Sequence, residues 1–436
     1  MNNLLPRFAL PLLALLFGAT VAEADPLTLG QCLSEVLAKN PKMAVAHAGH
    51  EEKRATLRAA QKDLLPSLSA DYSYQRESSG AAIMSRVPEN YYNYGVTVSQ
   101  PLFRGGALVN TMRISELDLE RAESTTVQTR NDLVLATEKA YFSLLKQQKL
   151  AEESRQAVVR LEKHLADAKN YYEAGLIPKN DLLTSELELA QGRQDLVRAQ
   201  NQAKLAATSL NILMRQPADQ EVQVADAFAY TPKPVEWTAL LAQARTQRPE
   251  LRQADIDTQR AAKEVNLAQA EYFPSITLSA TYEKQGDNPG ADSNPYGTTE
   301  IKSAQAVATW KFWAWGQSRD RVAAAERRQI KARETAALVQ DDVVLQLREA
   351  YLNLEETRQN IGVTEKAITQ ADENYRINES RYQAQVATST DLLDAQTLLV
   401  KAKTNYWNAV YDYNIASATV DWASGATEVS DARFAQ

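Results

Sequence analysis

The side chains that could do chemistry are few, and their spacing does little to organise them. Histidine occurs three times, at His47, His50 and His164. His47 and His50 share a helix face three residues apart, where two imidazoles could hold a metal. No third ligand stands near them, and all three histidines read as solvated helix residues. Cys32 is the only cysteine, which excludes a disulfide framework and a thiolate metal cluster. No GxSxG, P-loop, HExxH or dinucleotide fingerprint occurs. Arg104-Gly105-Gly106 falls between strand-like and helix-like sequence, as a phosphate loop would, but lacks that loop's spacing and lysine and reads as a strand-to-helix turn. No catalytic, cofactor-binding or metal site is expected, so the chain is not read as an enzyme.

What the sequence does repeat is a pair of turns that each open a helix with Asp-Leu-Leu. Asp181-Leu182-Leu183 follows Gly175 and Pro178, and Asp391-Leu392-Leu393 follows a short loop after Tyr382. Asp391 and Asp394 lie near a helix start, where the macrodipole favours a carboxylate and Ser389 or Thr390 would be the cap. Asp391 stands 210 positions after Asp181, and Pro249 stands 208 after Pro41. A near-constant offset across the chain is the mark of an internal duplication.

The elements around these turns can be read from period changes. Residues 27–39 and 41–64 are helical in composition, with Pro41 as a first-turn proline. Residues 67–75 alternate Leu68, Ala70, Tyr72 and Tyr74 against Ser, Asp and Gln, the period of a half-buried strand. Tyr92, Tyr94, Val96 and Val98 mark a second strand, which Pro101 to Gly106 closes. Residues 107–174 then hold neither glycine nor proline; as one helix they would run on the order of 100 Å, too long for a globular core. A second helix covers about 180–213. The plan recurs: helices over 237–246 and 249–272, strands on Ile276, Leu278, Ala280, Tyr282 and on Ala304, Ala306, Ala308, Trp310, Phe312, then helices over about 317–379 and 390–424. The domains expected are repeats over 25–215 (strand hairpin about 67–103, helix pair about 107–213) and 237–425 (strand hairpin about 275–313, helix pair about 317–424). A linker over 216–236 joins them and a tail over 426–436 follows. Residues 1–24, with Arg7, an apolar run and Ala22-Glu23-Ala24, have the form of a secretory signal cleaved before Asp25.

Leu392, Ala395, Leu399, Ala402, Tyr406, Ala409, Tyr413, Ala416 and Val420 follow a 3-4 spacing, the a/d seam of a coiled coil. Leu347, Leu354, Ile361, Ile368, Tyr375 and Tyr382 recur every seventh position on the preceding helix. The four strands each present an apolar face and a Ser/Thr/Gln face, and strands of this length can cross a membrane when tilted. Four cannot close a barrel, because the smallest membrane barrels have eight, and open edges cannot face lipid. Two copies would supply eight strands, three twelve and four sixteen. Trp310, Trp313 and Trp315 lie at a strand end, where interfacial aromatics are expected. The net charge of −7 speaks against a nucleic-acid surface.

Taken together, the duplicated unit of two strands and two long helices, the run Gln100-Pro101-Leu102-Phe103-Arg104-Gly105-Gly106, and the turn followed by Asp-Leu-Leu with alanines every seven residues resemble the TolC family of Gram-negative outer-membrane efflux and secretion channels, over essentially the whole mature chain. The resemblance implies an α+β membrane protein in which a homotrimer forms a twelve-stranded outer-membrane β-barrel, surrounded by outer-membrane lipid, continued by a periplasmic α-helical coiled-coil tunnel. It implies a passive exit duct that catalyses nothing, working with a periplasmic adaptor (a membrane fusion protein) and an inner-membrane RND or ABC transporter. By position, Asp391 and Asp394 match carboxylates that ring the periplasmic aperture, and Tyr382 and Asp181 match a pair that holds neighbouring hairpins closed. Ala387 departs from members that carry an arginine latch there. The rival reading is a periplasmic coiled-coil scaffold or adaptor without a pore.

Overall fold

The computed structural model describes residues 26–76, 90–226, 235–295 and 297–427. The expected signal, the loop after the first strand, residues 227–234 of the linker and most of the tail lie outside them. Two short helices, α1 (Leu29–Lys39) and α2 (Pro41–Lys62), lead into strands β1 (Ser67–Arg76) and β2 (Asn90–Arg104), then helices α3 (Ala107–Glu173) and α4 (Lys179–Met214). The order recurs in α5 (Trp237–Gln247), α6 (Pro249–Gln269), β3 (Ser275–Gly286), β4 (Glu300–Thr309), α7 (Gln317–Gln383) and α8 (Ser389–Ser424). Thr28 and Asn40 cap α1 and α2, and Pro41 and Pro249 open α2 and α6. α3 and α7 each hold 67 residues, which at 1.5 Å per residue makes each about 100 Å long. Among the described residues no helix is apolar enough over a sufficient length to cross a membrane.

The strands form one antiparallel sheet in the order β1-β2-β3-β4. Its register places apolar side chains opposite one another, Leu68 with Val98, Ala70 with Val96, Val98 with Ala280 and Leu278 with Ala306. One face is therefore apolar from edge to edge, and it stays exposed along β1 and β4. The helices keep the order of the strands: α2 packs on α3, α3 on α6 and α6 on α7. Sheet and helices thus run in the same order, and among the described residues β1/α2 and β4/α7 are the two outer sides.

Two strand ends differ from the expected ones. β2 continues through Pro101 to Arg104, because a bulge between Pro101 and Phe103 accommodates the proline. β4 stops at Thr309, so Trp310 and Phe312 lie beyond it: Thr309 pairs with Ser275, and Pro274 before it has no N–H to extend the ladder. Both strand-to-helix turns use left-handed glycines, Gly106 (φ 87°) and Gly316 (φ 83°). A Cβ on Gly105 would sit 2.3 Å from the Ala270 carbonyl oxygen, which only glycine avoids.

The core gathers where the short helices meet the long ones. Leu29, Cys32, Leu33 and Val36 of α1 are buried against Leu133, Phe142 and Leu145 of α3 and Leu210 and Met214 of α4. There burial pushes the Cys32 thiol up to about 12, so it is an inert packing group. Val343, Leu347, Leu354 and Ile361 of α7 meet Ala409, Tyr413, Ala416 and Val420 of α8 in the second repeat. All of these but Val343 are seam residues expected from the heptads. Large residues opposite alanines let the two helices of the hairpin approach closely.

Candidate periplasmic aperture

The two Asp-Leu-Leu segments sit at the far end of the long helices. The α3–α4 turn closes with Gly175 in the left-handed conformation (φ 74°), its N–H donating to the Tyr172 carbonyl (2.9 Å). The α7–α8 turn repeats the bonds with Gln385 (φ 60°) in place of glycine, donating to the Tyr382 carbonyl (2.9 Å). The cap of α8 is Thr388, ahead of both expected caps, Ser389 and Thr390. Its N–H and hydroxyl donate to Asp391 Oδ2 at 2.9 and 2.8 Å, and the Asp391 N–H donates back to Thr388 Oγ at 3.2 Å. This is a reciprocal capping box with Asp in the third position. It explains the displacement of the cap, since Thr388 can bond both ways with Asp391. The backbone and then the side-chain bonds from Thr388 hold the Asp391 carboxyl below the usual carboxylate range. Asp391 and Asp394 are both exposed, one turn apart on α8.

Tyr382 is buried, 3 % exposed, and its ring lies 5.6 Å from Tyr171 and 5.0 Å from His164. Its hydroxyl has no hydrogen-bond partner. Burial, and after it Tyr171, Asp167 and Asp181, push the phenol up to about 12, so Asp181 is near enough for its charge to act on that hydroxyl. Within one copy the two implied latch residues are thus neighbours without a hydrogen bond between them.

His164 corrects the expectation of a solvated histidine. It is 4 % exposed and joins three other helices. Its Nε2 lies 2.8 Å from Ser389 Oγ on α8 and 3.1 Å from Ser185 Oγ on α4, and its ring faces Tyr382 of α7. Ser185 Oγ also lies 2.9 Å from the Asp181 carbonyl, and Nε2 is the ring nitrogen that bonds, meeting both serine hydroxyls. Nδ1 is buried without a partner. A second proton there would be a charged donor with nothing to receive it, and burial holds the His164 pKa below its ordinary 6.5 despite the nearby Asp167. Apolar contacts of Val158, Leu161, Leu189 and Leu393 lie alongside. Gln396 donates to the Ala157 carbonyl (3.2 Å), and Lys163 pairs with Glu379 (2.8 Å) across the hairpins. Ala157, Leu161, His164 and Ala168 are all buried at 4-3-4 spacing. That seam is the signal in the sequence that marks His164 as inward-facing.

The sign of its effect follows. Because the folded state disfavours the protonated ring, the tip is at full strength above pH 6.5 and loses stability as pH falls below that value. Hydrogen-exchange protection at the α3–α4 and α7–α8 turns, taken relative to the intrinsic exchange rate at each pH, is expected to fall between pH 7 and pH 5, and His164→Gln, which keeps a donor but cannot titrate, is expected to flatten that dependence. His47 is exposed, and His50 lies 3.5 Å from Glu51 on its own helix. No group of three or more His, Cys, Asp or Glu side chains among the described residues could hold a metal.

Comparison with known proteins decides the family. The model of the outer membrane efflux protein family matches residues 32–214 and again 240–426. The chain belongs to that family. It is 23 % identical over 435 residues to outer membrane protein TolC of Vibrio cholerae, covering 99 % of this chain and 97 % of that one. It is 24 % identical to the alkaline protease secretion protein AprF of Pseudomonas aeruginosa, covering 96 % and 90 %. Among solved structures, the Campylobacter jejuni CmeC outer membrane channel superimposes with a TM-score of 0.81 at 18 % identity, over 91 % of this chain and 85 % of that one. This outer membrane efflux protein is therefore a barrel-and-tunnel channel subunit of the outer membrane with a large periplasmic portion, and an export duct. The family is one of transport proteins, and the pore-free scaffold reading is set aside.

Trp310, Trp313 and Trp315 are strongly exposed, in two contacting pairs, Trp310 with Phe312 (6.0 Å between ring centroids) and Trp313 with Trp315 (5.7 Å).

Proposed function

We propose that three copies of this chain close one twelve-stranded barrel and one tunnel. The observation that carries the reading is the pair of free sides: among the described residues nothing covers the apolar sheet face, and nothing pairs the two strand edges that flank it. Lipid can cover the face, but only another copy can pair the edges. Repeats over 25–215 and 237–425, joined through 216–236, each supply two strands and one helix hairpin. The exposed tryptophans after β4 suit the outer-membrane lipid interface. The duct is passive. A periplasmic adaptor docks at the tunnel and an inner-membrane RND or ABC transporter supplies the energy. Asp391 and Asp394 ring the periplasmic mouth, with Tyr382 and Asp181 beside the contacts that keep it shut.

The assembly is tested by fractionation and by a charge on the apolar face. The protein is expected in the outer-membrane pellet, running as a trimer before heating. Val96 faces Ala70 and Tyr282 across the apolar side. Val96→Arg puts a charge toward lipid at a cost of about 2–4 kcal/mol per copy near the membrane midplane, and the trimer yield is expected to fall sharply. Thr97→Arg, one residue along on the polar face, is expected to leave it intact. A soluble monomer, or equal tolerance of both substitutions, would refute the assembly.

A further inference from the structure

The end of the sheet nearest the helices carries a local concentration of positive charge. A groove of about 1230 Å³ opens where β2, β3 and β4 meet α3, α6 and α7, and Arg104, Arg260, Lys311, Arg321 and Arg328 all line it. Among the described residues two carboxylates, Glu264 and Glu271, line it with them. Arg321 pairs with Glu271 (2.6 Å), and Arg260 pairs with Asp118 (2.7 Å) and Glu264 (3.1 Å). Arg328 reaches Glu264 only at 3.9 Å. Arg104 and Lys311 are exposed, and among the described residues neither has a carboxylate within ion-pair distance. The surplus is local, because the whole chain carries a net charge of −7.

The side of the sheet on which this charge lies is fixed by the register. Upstream of the bulge, the even-numbered residues of β2 stand on the apolar face, Val96 opposite Tyr282 and Val98 opposite Ala280. The bulge between Pro101 and Phe103 shifts the count by one, so Phe103 pairs with apolar Ile276 and Arg104 pairs with Ser275. Ser275 pairs in turn with Thr309. Without the extra residue Arg104 would fall on the apolar face, and a bulge is a recognised way of re-aiming a side chain. Ser275, Thr277 and Thr309 of the polar face line the same groove, so the cations stand opposite the lipid-facing side.

We propose that Arg104 and Lys311, with the three arginines beneath them, form a cationic collar around the duct where barrel meets tunnel, a binding site for anionic cargo bearing carboxylate or phosphate groups. The proposal rests on the trimeric duct above, since the polar face of the sheet becomes the lumen only in a closed barrel. A water-filled passage with low-dielectric walls and one sign of charge concentrates counter-ions. In a trimer every cation is present three times around one axis. Solutes, rather than lipid headgroups, are the anions that reach this face.

The collar lies on the barrel side of the periplasmic mouth, so a probe can reach it without passing Asp391 and Asp394. The full-length protein is reconstituted in a planar bilayer of phosphatidylcholine at low ionic strength, where screening is weak, and tripolyphosphate is added on the side where the barrel opens. Tripolyphosphate is expected to block the current. In Arg104→Gln/Lys311→Gln the half-blocking concentration is expected to rise about tenfold or more, within the range over which charged clefts enrich counter-ions. Arg104→Lys/Lys311→Arg keeps the charge and is expected to keep the block, which separates charge from fold. Spermine from the same side is expected to have little effect. An unchanged half-blocking concentration in the Gln variant, or equal block by spermine, would overturn the collar while leaving the duct standing. Absence of any conducting channel would overturn the duct, and the collar with it.

Discussion

Replacing Asp391 and Asp394 together by Asn is expected to abolish the block of single-channel current by divalent cations added on the periplasmic side. Both carboxylates are exposed one helical turn apart at the start of α8. In the proposed trimer they stand around one mouth, two from each copy, where rings of carboxylates favour cations. The bonds from the Thr388 N–H and hydroxyl hold the Asp391 carboxyl below the usual range, so it stays ionised throughout the neutral and mildly acidic range. One oxygen is committed to the cap, and the other is free of it. Asn is the informative replacement because its carbonyl oxygen can still accept from the Thr388 N–H, so the helix start survives while the charge goes. Alanine would remove charge and cap together. Block that persists at wild-type concentration in the double variant would show that divalent ions bind elsewhere.

Much of the architecture was legible because its signals are periodic. The switch from helical to period-2 spacing at Pro66 and Pro274, and the long stretch without glycine or proline after Gly106, locate strands and long helices without reference to tertiary contacts. The offset between Asp181 and Asp391 exposes the duplication. The heptad seam on α8 names residues that are in fact buried, Leu392, Leu399, Ala409, Tyr413 and Val420 among them. These features are repeated along the chain, so one exception does not obscure them.

What was hidden is local or non-periodic. Pro101 looks like the end of a strand, yet the bulge beside it lets β2 run on and turns Arg104 to the other face. Trp310 and Phe312 continue the alternation of β4 in sequence, but a strand ends where its partner ends, and β3 begins at Ser275. The tip was the hardest part. His164 and Ser389 are 225 positions apart, and nothing in either segment announces that they meet. A histidine among Lys163, Asp167 and Lys169 looks solvated, and only the spacing of Ala157, Leu161 and Ala168 around it indicates otherwise. Asp391 and Asp394 could be placed near a helix start from sequence, but their grouping around an aperture depends on the other copies.

The second large effect concerns the latch. Tyr382→Ala is expected to raise single-channel conductance, whereas Tyr382→Phe is expected to leave it near wild type. The ring is 3 % exposed and stands against Tyr171 and His164, between the two hairpins of one copy. Emptying such a site costs about 3–5 kcal/mol, as large aromatic-to-alanine changes in cores do, and that loss falls on the contact that holds α7 against α3. The hydroxyl contributes differently. It is buried without a partner, so Phe removes a polar group that is already desolvated and keeps all the packing; such an exchange is close to neutral or favourable. Asp181→Ala added to Tyr382→Phe separates the remaining possibilities. If the tip is held by ring packing and by the His164–Ser185–Ser389 bonds, the double variant stays closed, because Ser185 bonds the backbone carbonyl of Asp181 and not its carboxylate. If neighbouring copies are tied through the Tyr382 hydroxyl or the Asp181 carboxylate, conductance rises in the double variant as much as in Tyr382→Ala. With Ala387 unable to supply a charged tie, the packing latch predicts the first outcome, and an open channel in the double variant would transfer the latch to the interface between copies.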